Sequence, residues 1–85
     1  GCLQMHAGYV QDAAEYAEED WKHEDAFCRE TSIDIFLAYM ARYATYERLG
    51  RAVTAEDVAR IHNGGPNGWK KQSTEKYWKN VQNKL

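Results

Sequence analysis

The sequence predicts a mainly α-helical domain of about four helices, with at most a short β segment at its N-terminus. Three observations lead there. Apolar residues recur at three- and four-residue spacing in four separate stretches. Two Thr-x-x-Asp pairs stand where a helix N-terminus needs a cap. No run of residues supports a parallel sheet. The 85 residues include three Trp, six Tyr and two Phe, and 44% are hydrophobic, too much large apolar surface for a disordered tail. That length allows a single domain over residues 1–85, whose core buries roughly 60–65% of the surface the unfolded chain exposes.

Residues 1–6, GCLQMH, alternate loosely behind a glycine and predict a short extended segment, one arm of a small hairpin whose other strand lies upstream. Beyond Gly8, the residues Val10, Ala13, Ala14, Ala17 and Trp21 fall at helical spacing. Gln11, Asp12, Glu15, Glu18 and Glu19 lie opposite them, which predicts a first amphipathic helix. Residues 22–30 have no period and read as a connector. Thr31 and Asp34 make a capping-box-like start for a second helix, with Ile33, Phe36, Leu37, Met40 and Ala44 down one face until Gly50. Thr54 and Asp57 repeat the cap signal for a short helix carrying Ala55, Val58 and Ile61, which Asn63, Gly64, Gly65 and Pro66 end. Ser73 and Thr74 introduce a last helix with Tyr77, Trp78, Val81 and Leu85 inward and Lys76, Lys79, Asn80 and Lys84 outward.

Charge is distributed unevenly. Residues 1–50 hold ten acids against four bases, and residues 51–85 three acids against seven bases. A basic C-terminal half suits an anionic polymer, but two halves of opposite sign also simply attract each other. No apolar run approaches the ~18 residues of a membrane helix, and residues 1–10 lack the basic and long apolar regions of a signal peptide. The chain starts on Gly1 in an apolar segment, and the expectation is an N-terminally truncated portion of a longer protein. Cys2 and Cys28 are either two half-buried thiols or one disulfide, which would stabilise the fold by ~3 kcal/mol.

Two segments carry more specific information. Gly1-Cys2-Leu3-Gln4-Met5-His6 resembles the G-x-L/F-Q-I strand of lysozyme-like and lytic transglycosylase domains. Residues 59–68, ARIHNGGPNG, are similar to the ARIHNGGP turn of invertebrate-type lysozymes and to the shorter YNAGP turn of lytic transglycosylases. The continuation through Ser73-Thr74 to Tyr77-Trp78 resembles the segment that follows in invertebrate-type and phage-related lysozymes. With the intervening helix over residues 32–43, order and spacing agree along nearly the whole chain. The resemblance implies the C-terminal portion of a lysozyme-like, peptidoglycan-cleaving glycosidase, secreted or cell-wall directed and in some cases phage-encoded.

The residue chemistry gives this reading content. Gly64 and Gly65 allow backbone angles and close ligand approaches that other residues forbid, while Pro66 fixes the exit, so the turn suits a sugar-binding wall. The plainer reading is a helix C-cap and rigid turn. Gln4, an amide on the edge of an extended segment, suits donation to and acceptance from an N-acetyl group; in the resembled families the matching glutamine lies beside the reaction centre. The candidate substrate-binding set is Gln4, His6, Asn63, Gly64, Gly65 and Tyr77. Tyr77 and Trp78 also have core readings.

Glycoside cleavage needs a carboxylic acid to protonate the leaving oxygen, usually with a second carboxylate roughly 5 to 9.5 Å away. In the resembled families these carboxylates lie upstream of the G-x-L-Q strand, where this sequence begins. Glu15, Glu18, Glu19, Asp20, Glu24 and Asp25 read as a solvated face and connector, so no catalytic residue is assigned. His6 stands where some invertebrate-type members carry a lysine linked with isopeptide cleavage, so that second activity is not supported.

Other chemistries have weaker signals. Neither cysteine has a local nucleophile signature with His6, His23 or His62. His23, Glu24, Asp25 and Cys28 lack paired metal-ligand spacing, and no Gly-rich segment makes a phosphate cradle. The expected partner is peptidoglycan or a related N-acetylated glycan, with no cofactor, metal, nucleic acid or membrane, and with a homodimer as one way to complete a truncated core. The alternative is a catalytically silent glycan-binding or structural module of a phage or secretion apparatus.

Overall fold

A computed structural model describes residues 5–84. Among them are five α-helices and two 3₁₀ turns: α1 (Ala7–Ala17), a 3₁₀ turn (His23–Phe27), α2 (Arg29–Tyr43), α3 (Tyr46–Leu49), α4 (Ala55–Gly64), a second 3₁₀ turn (Gly68–Lys70) and α5 (Gln72–Asn83). The fold is mainly α, as the apolar spacing predicts, and no strand occurs among the described residues. The expected extended segment lies largely in residues 1–4, outside them. The chain divides into two compact units, one ending at Arg42 and one starting at Tyr43.

In the first unit, His6 starts α1 by accepting the Tyr9 N–H at Nδ1, 3.2 Å away. Glu18 ends the helix in the left-handed conformation at φ 56°, so α1 stops four residues before Trp21. Tyr9, Val10, Ala13 and Ala14 of α1 and Ser32, Ile35, Tyr39 and Met40 of α2 are buried. The Tyr9 and Tyr39 rings stack at 3.7 Å and 7°. Arg42 ties α2 to α1 by donating to the Asp12 carbonyl at 2.7 Å.

Two expectations fail here. The second helix starts at Arg29, so Thr31 lies inside the first turn instead of capping it. Ser32 occupies that turn and donates to the Arg29 carbonyl at 2.8 Å. Its buried face is also rotated: Ile33 and Leu37 are exposed, whereas Ile35 and Tyr39 are fully buried. An all-round scatter of Ile, Phe, Leu, Tyr and Met gives two overlapping apolar stripes, and the Tyr9–Tyr39 stack selects the second. The connector over residues 22–30 contains an ordered 3₁₀ turn, capped where Asp25 accepts the Lys22 N–H at 2.8 Å.

In the second unit, α4 starts at the expected cap. Thr54 Oγ1 accepts the Asp57 N–H at 3.2 Å while Asp57 Oδ2 accepts the Thr54 N–H at 2.9 Å. Arg51 adds a bidentate pair to the same carboxylate, at 2.6 and 2.8 Å. That guanidinium, followed by desolvation and the Thr54 bonds, sets the Asp57 pKa, which falls from 3.8 to about 2. Asp57 is therefore buried as a paired carboxylate. α5 starts at Gln72, and its most buried residue is Thr74, with Tyr77, Trp78 and Val81 half-buried. The second helix does not run on to Gly50 as expected: it ends at Tyr43, and α3 is a separate single turn held by a Thr45 cap and Gly50 at φ 75°.

Candidate functional site

The C-terminal end of α4, the NGGP turn and the start of α5 form one hydrogen-bonded assembly. Arg60 lies at its centre with a side chain 13% exposed. Its guanidinium reaches Thr74 Oγ1 through Nε at 2.9 Å, the Glu56 carboxylate at 2.7 Å and the Lys71 carbonyl at 2.9 Å. The buried Thr74 hydroxyl lies against the Gly68 carbonyl and also contacts the Lys71 carbonyl at 2.9 Å. One arginine and one threonine thus join α4, the second 3₁₀ turn and α5.

Two glycines make the arrangement possible. Gly65 sits at φ 90°, ψ −170°, a region that only glycine occupies without strain. At Gly68, an added Cβ would overlap the Arg60 carbonyl oxygen and lie 2.8 Å from its carbon and 3.1 Å from Ile61 Cα. The 3₁₀ turn therefore passes directly over the backbone of α4.

The turn's own carbonyls are engaged by the protein. Gly64 O accepts from Lys71 Nζ at 2.6 Å, Gly65 O from the Gly68 N–H at 2.8 Å, Pro66 O from Arg48 at 2.9 Å and Asn67 O from the Lys70 N–H at 3.1 Å. The turn is accordingly a fixed ridge, with the Asn63 side chain exposed at its edge. His62 precedes it, and burial lowers its pKa below the usual histidine value of 6.5. Trp69 follows it, with a buried indole N–H that has no hydrogen-bond partner, and Arg51 and Lys70 lie over its ring at 5.7 and 5.5 Å.

A family model described as Destabilase matches residues 1–84. The chain belongs to the destabilase family. An invertebrate-type lysozyme of Ruditapes philippinarum is 41% identical over 84 residues, covering 96% of this chain and 57% of that protein. Lysozyme 1 of Crassostrea virginica is 53% identical over 45 residues, covering 53% of this chain and 23% of its own length. A lysozyme of Meretrix lusoria is 50% identical over 44 residues, or 52% of this chain and 34% of its own. The chain thus spans about half the length of these relatives or less.

Within this member of the destabilase family, the structure brings together Asn63, Gly64 and Gly65 of the candidate set. Tyr77 is half-buried on α5, one turn beyond Thr74. His6 belongs to the first unit, where its ring caps α1. Gln4 lies outside the described residues, as does Cys2; Cys28 is an exposed thiol, so its pairing with Cys2 has no structural description. Glu15, Glu18, Glu19, Asp20 and Glu24 are exposed, and Asp25 caps the first 3₁₀ turn. Sequence reasoning missed Arg48, Lys71 and Trp69. Thr74 carried a signal only as a helix start, and its hydroxyl works across the unit instead.

Proposed function

We propose that this chain is the sugar-binding portion of a peptidoglycan-cleaving, lysozyme-like glycosidase, and that the NGGP ridge lines its glycan cleft. The observation that carries the reading is the fixed turn after Asn63, whose carbonyls from Gly64 to Asn67 all accept hydrogen bonds from the protein itself, so that it meets a ligand without rearrangement. The matching family and the relatives named lysozyme support it. The substrate is the linkage between N-acetylmuramic acid and N-acetylglucosamine, cleaved by hydrolysis or transglycosylation, in an extracellular or cell-wall setting. Gln4, His6, Asn63, Gly64, Gly65 and Tyr77 are the proposed contacts.

Asp57, the buried carboxylate among the described residues, has its pKa lowered to about 2 by Arg51 and has no proton to give at neutral pH. The other acids considered are exposed or act as caps. The same observation favours a second reading, a catalytically silent glycan-binding module. Clearing of a bacterial wall suspension separates the two, with the 85 residues tested beside the longest reading frame that contains them. Clearing by the longer form alone supports the enzyme; wall binding without clearing by either supports the silent module.

A further inference from the structure

We infer that Arg48 is a positioning residue for the glycan-binding turn, an inference that rests on the reading of that turn given above. Arg48 stands on α3, which Thr45 caps through its bond to the Arg48 N–H at 3.2 Å and which buried Leu49 anchors. From there its side chain crosses 18 residues of sequence. Nη1 donates to the Pro66 carbonyl at 2.9 Å and Nη2 to Asn67 Oδ1 at 3.2 Å. Nη1 also donates to the Tyr43 carbonyl at 2.5 Å, and the guanidinium carbon lies 5.3 Å over the Tyr43 ring.

The planar fork is what the geometry requires. Two acceptors on the turn lie on successive residues, and a third, with an aromatic face, belongs to residue 43 at the end of α2. A guanidinium has N–H donors enough for all three acceptors and a flat face for the ring, whereas an ammonium is a point donor that cannot reproduce the fork. Arg60 and Lys71 hold the helix side of the turn through Thr74, the Lys71 carbonyl and Gly64. Arg48 alone among these three side chains bonds its exit at Pro66 and Asn67. Without it, the segment after Gly65 keeps its local turn bonds but loses its tether, and binding then includes the cost of ordering it.

The test titrates chitotriose into the wild-type chain and into Arg48→Ala, Arg48→Lys and Asn67→Ala, with circular dichroism confirming retained helicity. Amide exchange at Gly68, whose N–H bonds the Gly65 carbonyl, reads the turn directly. Arg48→Ala is expected to weaken binding about 10-fold and to speed Gly68 exchange, from the loss of two to three modest hydrogen bonds. Arg48→Lys restores less than half of that on a logarithmic scale, and Asn67→Ala, which removes one bond, costs about 3-fold. Unchanged affinity and exchange in folded Arg48→Ala overturn the inference, as does full recovery by Arg48→Lys. Loss of binding that accompanies lost helicity, with Asn67→Ala at wild-type affinity, overturns it too. Failure of the wild-type chain to bind overturns the glycan reading instead, and Gly68 exchange then decides whether Arg48 holds the turn.

Discussion

Replacing Gly68 by alanine should do far more damage than the loss of one glycine in a loop suggests. The new Cβ would lie 2.8 Å from the Arg60 carbonyl carbon and 3.1 Å from Ile61 Cα, where carbon atoms prefer about 3.5–4.0 Å. The obstacles are backbone atoms of α4, so no side-chain rotation relieves the overlap, and α4 and the second 3₁₀ turn must separate by about 1 Å. Overpacking of this kind costs about 1–3 kcal/mol. The separation also loosens the buried Thr74–Gly68 hydrogen bond, worth about 1 kcal/mol. The sum of about 2–4 kcal/mol is large against the roughly 4–13 kcal/mol expected of a chain this long. Thermal unfolding followed by circular dichroism should show a midpoint about 15 °C lower. Gly50→Ala is the control: it removes a glycine at a positive φ of 75°, with no atom within 4 Å of the new Cβ, and should cost about 1 kcal/mol. If Gly68→Ala unfolds no earlier than Gly50→Ala, the close passage of the 3₁₀ turn over α4 is refuted.

Other substitutions probe the same unit. Gly65→Ala meets no steric obstacle but leaves alanine at φ 90°, ψ −170°, and should cost about 1–3 kcal/mol and weaken glycan binding measured by calorimetry. Asp57→Asn should lower stability at pH 7 by about 2 kcal/mol, from a pKa depressed from 3.8 to about 2. Because the folded pKa is the lower one, this contribution is complete above pH 4 and lost as pH falls through 2; denaturant melts across that range should show an acid limb that Asp57→Asn flattens. For His62, burial disfavours the charged form, so the unfolded chain binds the proton more readily. Stability should therefore decline as pH falls below 6.5, and His62→Gln should remove that slope in melts between pH 7 and 5.

Much of α4 and the turn was legible because their determinants are local. Thr54, Asp57, the Ala55, Val58 and Ile61 spacing, and the Gly64-Gly65-Pro66 stop each act within a few residues. The buried face of α2 was not legible, because Ile33, Ile35, Leu37 and Tyr39 offer two stripes and only the stack with Tyr9 decides between them. The break between α2 and α3 escaped because four residues give no period of their own, and its determinants are the Thr45 cap and Gly50. In the candidate site, Asn63, Gly64 and Gly65 were singled out from the local turn chemistry of N-G-G-P and the motif it resembles. The side chains that hold them were not. Arg48 is 18 residues from Pro66 in the chain, and Arg60 is 14 from Thr74, so no window of sequence contains both ends of either bond.

The central claim, that the NGGP ridge is a glycan-binding wall, is tested most directly by amide chemical-shift mapping. A disaccharide peptidoglycan fragment would be titrated beside a cello-oligosaccharide that lacks N-acetyl groups. The account predicts saturable shifts at Asn63, Gly64, Gly65 and Tyr77 with the N-acetylated ligand and small or no shifts with the other. Equal responses to both sugars, or shifts confined to α1 and α2, would contradict it.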